Sequence, residues 1–220
     1  MISVVIPTLI RHEAHYEMTL NCLKAAKEKT KVPFETVIVE TGTNRLSEFA
    51  DIHIWERNKT TSGKSINRGF RCASGEFVVL LTNDVIVDDK WLEHLIEPFE
   101  KFEDCGVSTL ACDQLKHEKK DEIKEGIWFG LAFMPKEEAW FDENYQNSWD
   151  DSDLLMRVYL KGRKMYRNYK SVVEHKTQAT LSGDETFKEK YLVSRDYFIK
   201  KHIQFKESRI FQILVGGLIV

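Results

Sequence analysis

The first 112 residues alternate between short apolar runs and segments of helical period, and that rhythm leaves few folds open to the chain. SVVIP (3–7), FETVIVE (34–40), DIHIWE (51–56), EFVVLLT (76–82) and GVSTLAC (106–112) are rich in β-branched and apolar residues and end at polar or turn residues, so each is expected to be a strand. Between the first two, Tyr16, Leu20, Leu23 and Ala26 recur at helical spacing. A short helix is expected around Leu46–Ala50, another over GKSINRGFRCAS, and a third over DKWLEHLIEPFEKF that bends or ends near Pro98. EFVVLLT is apolar throughout and should lie centrally. Strand–helix alternation of this kind predicts an α/β fold: a mainly parallel central sheet with helices on both faces. Ligands of such sheets bind outside the carboxyl ends of the strands, which selects Pro7–Thr8, Glu40 to Thr43, and Thr82-Asn83-Asp84.

After residue 112 the rhythm changes. DQLKHEKKDEIKEG reads as a charged, solvated loop or insertion, GIWFGLAFMP as a strand, and the segment from the aspartates at 150 to Gly162 as a helix with a glycine stop. With no internal repeat and no low-complexity linker, one domain is expected over 1–205, its halves meeting near residue 112, with 206–220 as an apolar C-terminal segment. The stretch RIFQILVGGLIV is shorter than the roughly 20 residues of a membrane span. It suits packing on the domain, contact with a membrane surface, or the beginning of a longer element. A composition of 42% hydrophobic and 30% charged residues excludes a disordered chain, and a formal charge of -3 gives no basic field for nucleic acid. The N-terminus has no basic leader before a long apolar stretch, and the four cysteines form no CxxC pair. Reduced thiols in a cytoplasmic protein are expected, with membrane association through the C-terminus as an added option.

Residues 58–65 read NKTTSGKS, ending like a phosphate-binding P-loop. That motif needs a glycine where Asn58 stands, because the glycine supports the tight anion-cradling turn. The alternatives are a helix that merely starts Gly-Lys-Ser, or a different nucleotide site. In LLTNDVIVDDKW, Asn83 and Asp84 are delivered to the end of an apolar strand, where a carboxylate oxygen suits a hard divalent cation, although such junctions also carry Asn and Asp for turn geometry. Asp150, Asp151 and Asp153 crowd a helix start beyond what capping requires; crowded carboxylates raise one another's pKa, and one in a cleft can act as a general base. His175 can complete a metal shell beside a carboxylate.

These elements together resemble family 2 of the inverting glycosyltransferases, which have the GT-A nucleotide-sugar fold. The likeness runs through SVVIPT, VIVETGTN, Asn58 followed by GKSINRGF, ASGEFVVLLTND with DKWLEHL, FDENYQNSWDDSDLLMRVYLKGRK, and Val173 to His175, covering roughly residues 2–180. It implies a metal-dependent transfer from a nucleoside-diphosphate sugar, UDP-, dTDP- or GDP-linked, to a carbohydrate or lipid-linked acceptor hydroxyl in glycan synthesis. It further implies a cation, Mn2+ or Mg2+, on Asp84 with His175, and a nucleotide pocket of Pro7, Thr8, Arg11, Glu40, Lys64, Asn67 and Asn83, Glu40 standing where the family's aspartate reads the base. Asp151 takes the place of the catalytic base and Asp150 that of the family's usual glutamate. Thr82 and Asn83 replace acids, leaving the cation fewer charged ligands. Trp128, Trp140 and Trp149 are candidates for stacking on acceptor sugars. A non-catalytic nucleotide- or carbohydrate-binding module on the same fold is the alternative.

Overall fold

A computed structural model describes residues 1–126, 130–176 and 186–216. The chain runs β1 (Ile2–Leu9), α1 (Glu13–Glu28), β2 (Glu35–Thr41), β3 (Ile52–Glu56), α2 (Ser62–Cys72), β4 (Phe77–Leu81), β5 (Val85–Ile86), α3 (Trp91–Lys101), β6 (Cys105–Cys112), β7 (Ile123–Glu125), β8 (Leu131–Pro135), α4 (Asp150–Leu160), β9 (Lys164–His175), α5 (Phe187–His202) and α6 (Arg209–Gly216). One mixed sheet has the order β3-β2-β1-β4-β8-β6-β9-β5, with β7 pairing on β9. β3, β2, β1 and β4 are mutually parallel, while β8 runs antiparallel to both of its neighbours. EFVVLLT is central, as its continuous apolarity requires.

Period-two alternation divides each strand between two cores. Val4, Ile6, Ile38, Val79 and Leu81 face Leu23 and Ala26 of α1 and Trp91, Leu92 and Leu95 of α3. Val5, Val37, Val78 and Leu80 face Ile66 and Phe70 of α2 and Leu154, Leu155 and Val158 of α4. Backbone closeness on this second face depends on Gly69. A Cβ there would lie 2.3 Å from Val5 Cγ1 and 3.1 Å from Val39 Cγ2, both fixed in buried strands. Gly69→Ala is therefore expected to destabilise the fold by about 1–3 kcal/mol through overpacking, read as a lower urea midpoint.

Four sequence expectations are corrected or completed. The charged stretch 113–126 is not wholly loop: it holds a 3-10 turn (Asp113–Leu115) and β7, whose exposed Lys124 and Glu125 suit an edge strand paired with β9. Pro98 does not end α3, which continues to Lys101. A proline leaves the carbonyl four residues back without its usual donor, and here Asn168 Nδ2 donates to that His94 carbonyl at 2.9 Å. β9 and α5 had no clear apolar period to announce them. The described part of the C-terminal apolar run forms α6, whose Phe211 packs with Tyr145, Trp149, Met156 and Phe198 in a third, smaller core. No helix among the described residues is long and apolar enough to cross a membrane.

Candidate active site

The carboxyl ends of β1, β2 and β4 open onto a cavity of about 440 Å³. Pro7, Thr8 and Arg11 line it from the end of β1, Thr41 from β2, Thr82, Asn83 and Asp84 from the turn after β4, and His175 from the last residue of β9. Asn83 is buried, and its amide nitrogen donates to Thr8 Oγ1 and Thr19 Oγ1, both at 2.9 Å. Asp84 is buried too, and its Oδ1 lies 3.5 Å from His175 Nε2. Burial opposes the charged imidazole, but the Asp84 carboxylate and Cys112 beside it outweigh that and carry His175 up to about 9.

A second cavity, about 500 Å³, adjoins the first. Asp150 and Asp151 line it, with Trp149, Phe187, Tyr191 and Leu214. Ser62, Ile66, Thr82, Gly130 and Asn147 line both cavities, so Asp84 and Asp151 face adjoining halves of one cleft. A clasp stands at the junction: Ser62 N–H donates to Asn147 Oδ1 at 2.6 Å, and Ser62 Oγ donates to Asp150 Oδ2 at 3.3 Å. The loop before α4 carries two left-handed residues, Asn147 (φ 61) and Trp149 (φ 66). Asn tolerates that region, whereas a tryptophan there is strained and is held by its ring contacts with Phe198 and Tyr191. Burial is the main force raising both Asp150 and Asp151; repulsion from Asp151 adds to it at Asp150, which reaches about 7. Asp151 Oδ1 accepts from Ser152 N–H at 2.7 Å.

Three residues assigned to the nucleotide lie elsewhere. Glu40 is fully buried and lines neither cavity. Its oxygens accept from Thr43 Oγ1, the backbone N–H groups of Arg45 and Leu46, and His53 Nε2, so the carboxylate holds the loop after β2 together. Asn67 pairs with the backbone of Phe141, giving 2.8 Å to the carbonyl and accepting 2.8 Å from the N–H, which fastens α2 to the chain before α4. Lys64 is exposed on α2 and lines neither cavity. The NKTTSGKS segment contributes Lys59, Thr60, Ser62 and Ser65 instead, a polar set between strand and helix that its composition signalled without saying which member faces inward. Trp140 is exposed, carries Arg157 over its ring and lines neither cavity. Trp128 lies outside the described residues.

The donor chemistry of Asp84 and His175 fits a divalent cation. One carboxylate and one imidazole stand in the lining of a cavity where ligand oxygens could complete the shell. Among the described residues, no cluster of three or more His, Cys, Asp or Glu side chains gathers to hold a metal by protein ligands alone.

A parallel-stranded half-sheet with its cleft at the strand ends, extended by an antiparallel strand and an acidic helix start, defines the GT-A glycosyltransferase fold. The chain belongs to glycosyl transferase family 2, whose model matches residues 3–177. No curated protein matches it in sequence. Among solved structures it is similar to GalNAc-T7 with UDP, GalNAc and Mn2+ (12% identity, TM-score 0.64, covering 79% of this chain and 43% of that one). It is also similar to Staphylococcus aureus TarS 1–349 in complex with UDP (14%, 0.61, 79% and 60%). A third is the mannosyltransferase PcManGT from Pyrobaculum calidifontis with GDP-Man and Mn2+ (16%, 0.64, 90% and 64%). The chain spans less than two thirds of each.

Proposed function

We propose that this chain transfers a sugar from a nucleoside-diphosphate sugar to an acceptor hydroxyl, with inversion. The observation that carries the reading is the pair of adjoining cavities, Asp84 and His175 in one and Asp151 in the other. The nucleotide lies in the first cavity, its phosphates near the cationic Arg11 and Lys59. The acceptor occupies the second, against Trp149 and the apolar wall from α5 and α6. Asp151 removes the acceptor hydroxyl's proton as its oxygen bonds to the anomeric carbon; the bond from that carbon to the diphosphate breaks on the opposite face, so a single displacement inverts the centre. A divalent cation, Mn2+ or Mg2+, on Asp84 and His175 would neutralise charge developing on the departing diphosphate. Asp150, hydrogen-bonded to Ser62, positions the start of α4 against α2.

The test is diphosphate release from a panel of nucleotide sugars with manganese or magnesium, with and without simple acceptors. Nucleotide binding without turnover across the panel would favour the non-catalytic module, the reading that Thr82 and Asn83, in place of acids, make worth testing. The acidic pair sets the expected pH dependence. A base must be ionised, and burial holds Asp151 above the ordinary carboxylate value of 3.8, so kcat/KM should climb with pH over an interval above that value. Stability should move the opposite way over that interval, because the folded pair retains protons that the unfolded chain has lost. A rate that stays flat down to the ordinary carboxylate range would mean that neither acid of the pair is the base.

A further inference from the structure

Six side-chain hydroxyls among the described residues line the first cavity, and the hydrogen bonds of each turn its proton away from the cavity. Thr82 donates to the Gly130 carbonyl at 3.0 Å, and Ser62 to Asp150. Thr19 gives its proton to the His15 carbonyl, so the 3.0 Å contact between Thr8 and Thr19 is donated by Thr8. The other three converge on Glu56, a buried carboxylate at the end of β3. Thr41 Oγ1 donates to Glu56 Oε2 at 2.8 Å and Ser65 Oγ to the same oxygen at 2.6 Å, while Arg68 holds Oε1. Ser65 having spent its one proton, the 3.0 Å bond between Thr60 and Ser65 is donated by Thr60. A hydroxyl has one proton and two lone pairs, so toward a ligand these oxygens can only accept.

The corner formed by Thr41, Thr60 and Ser65 is also in the right place to meet a base. Thr41 ends β2 and Asp84 follows β4, with β1 between them. Two strand spacings put the corner about 10 Å from the diphosphate end. That is the reach of a nucleotide from its phosphates to its base. Glu40, which the family likeness would place in this role, is occupied by its own loop.

We propose that Glu56, by drawing in the protons of Thr41 and Ser65 and leaving Thr60 to donate to Ser65, makes an acceptor-only wall that selects guanine over uracil or thymine as the base of the donor nucleotide. This rests on the first cavity being the nucleotide site. Guanine presents N1–H and its 2-amino group side by side, two adjacent donor positions for such a wall. Uracil and thymine present one N–H flanked by two carbonyl oxygens, which would meet lone pairs and be left unpaired on desolvation. Glu56 acts through the hydroxyls and is a positioning residue.

Calorimetric titration of the full chain with GDP, UDP and dTDP tests this. GDP should bind roughly tenfold tighter or more than either pyrimidine nucleotide. In Glu56→Gln, Arg68 keeps the amide oxygen, so the amide nitrogen faces Thr41 and Ser65 and donates to them. Their protons then turn into the cavity, and the GDP-to-UDP ratio should fall to one or below. A merely structural role for Glu56 would weaken both nucleotides equally. Thr41→Val, which keeps the side-chain shape and removes one acceptor, should weaken GDP more than UDP, and carries the test if the glutamine variant does not fold. Equal or preferred UDP binding by the wild type, or a ratio that neither substitution changes, overturns the base selection alone. Failure of all three nucleotides to bind would overturn the nucleotide site itself.

Discussion

Asp151→Asn is expected to lower sugar transfer by about 10²–10⁴-fold while nucleotide binding largely survives. The substitution preserves size and can still accept the Ser152 N–H, so the first turn of α4 should remain formed. What it loses is the capacity to take a proton. The cavity proposed for the nucleotide is lined by other residues, so the deficit should lie in kcat with little change in the donor's dissociation constant. The same variant should be no less stable than the wild type at neutral pH. Asp151 is held above the usual carboxylate range chiefly by burial, so its ionised form weighs against the fold and the amide removes that cost. Loss of activity with an unchanged or raised melting temperature would separate a chemical role from a structural one. Normal transfer by Asp151→Asn would remove the base from the mechanism, and the neighbouring Asp150 would be the next candidate.

What the sequence could show follows from where its physics is local. β1, β2 and β4 were legible because strands inside a parallel sheet must be apolar throughout, and their polar C-terminal neighbours stand out against that background. Pro7, Thr8, Asn83 and Asp84 were singled out that way, and all four line the first cavity. The pairing of Asp84 with His175 was legible only through family likeness, since β9 brings His175 back from 91 positions away. Glu40 and Asn67 show the limit. Both are polar residues beside the predicted site, yet the direction of each side chain is decided by partners that a linear reading cannot place: a loop for Glu40 and the Phe141 backbone for Asn67. Glu56 was invisible for the same reason, because its partners are Thr41 of β2, Ser65 of α2 and, through Ser65, Thr60 of the loop before α2.

The elements missed were those whose buried stripe is not apolar. α5 buries Ser194, Phe198 and His202, one face at spacing four with a single hydrocarbon among them, so no apolar period marks it. β9 reads KMYRNYKSVVEH, and its ladder with β6 shifts register between Leu110 and Ala111, which interrupts the alternation that would have announced a strand. Its buried Arg167 and Asn168 hold partners in the loop before β7 and in α3 and so look, in sequence, like surface residues.

Asp153→Ala is expected to destabilise the protein by about 3–5 kcal/mol, the cost of breaking a buried ion pair by removing one partner. Two positions beyond the proposed base, this carboxylate has the opposite duty. It is fully buried and accepts from Lys201 at 2.7 Å, His202 at 2.8 Å, Arg157 at 3.0 Å and Tyr145 at 3.2 Å, tying α4 to α5. Burial alone would raise its pKa, but the hydrogen bonds from His202 and Lys201, with Arg157, outweigh that and hold it well below the usual carboxylate range. Its stabilisation is therefore complete above the unfolded carboxylate's pKa and disappears as pH falls through the lower folded value. The gap in urea stability between wild type and Asp153→Ala should be widest near neutrality and narrow in acid. Phe187, Tyr191 and Leu214 of α5 and α6 wall the second cavity, so as the variant loosens, transfer should fail before nucleotide binding does. A loss below about 1 kcal/mol at neutral pH would show that the four donors find other acceptors and that α5 is held by its apolar contacts alone.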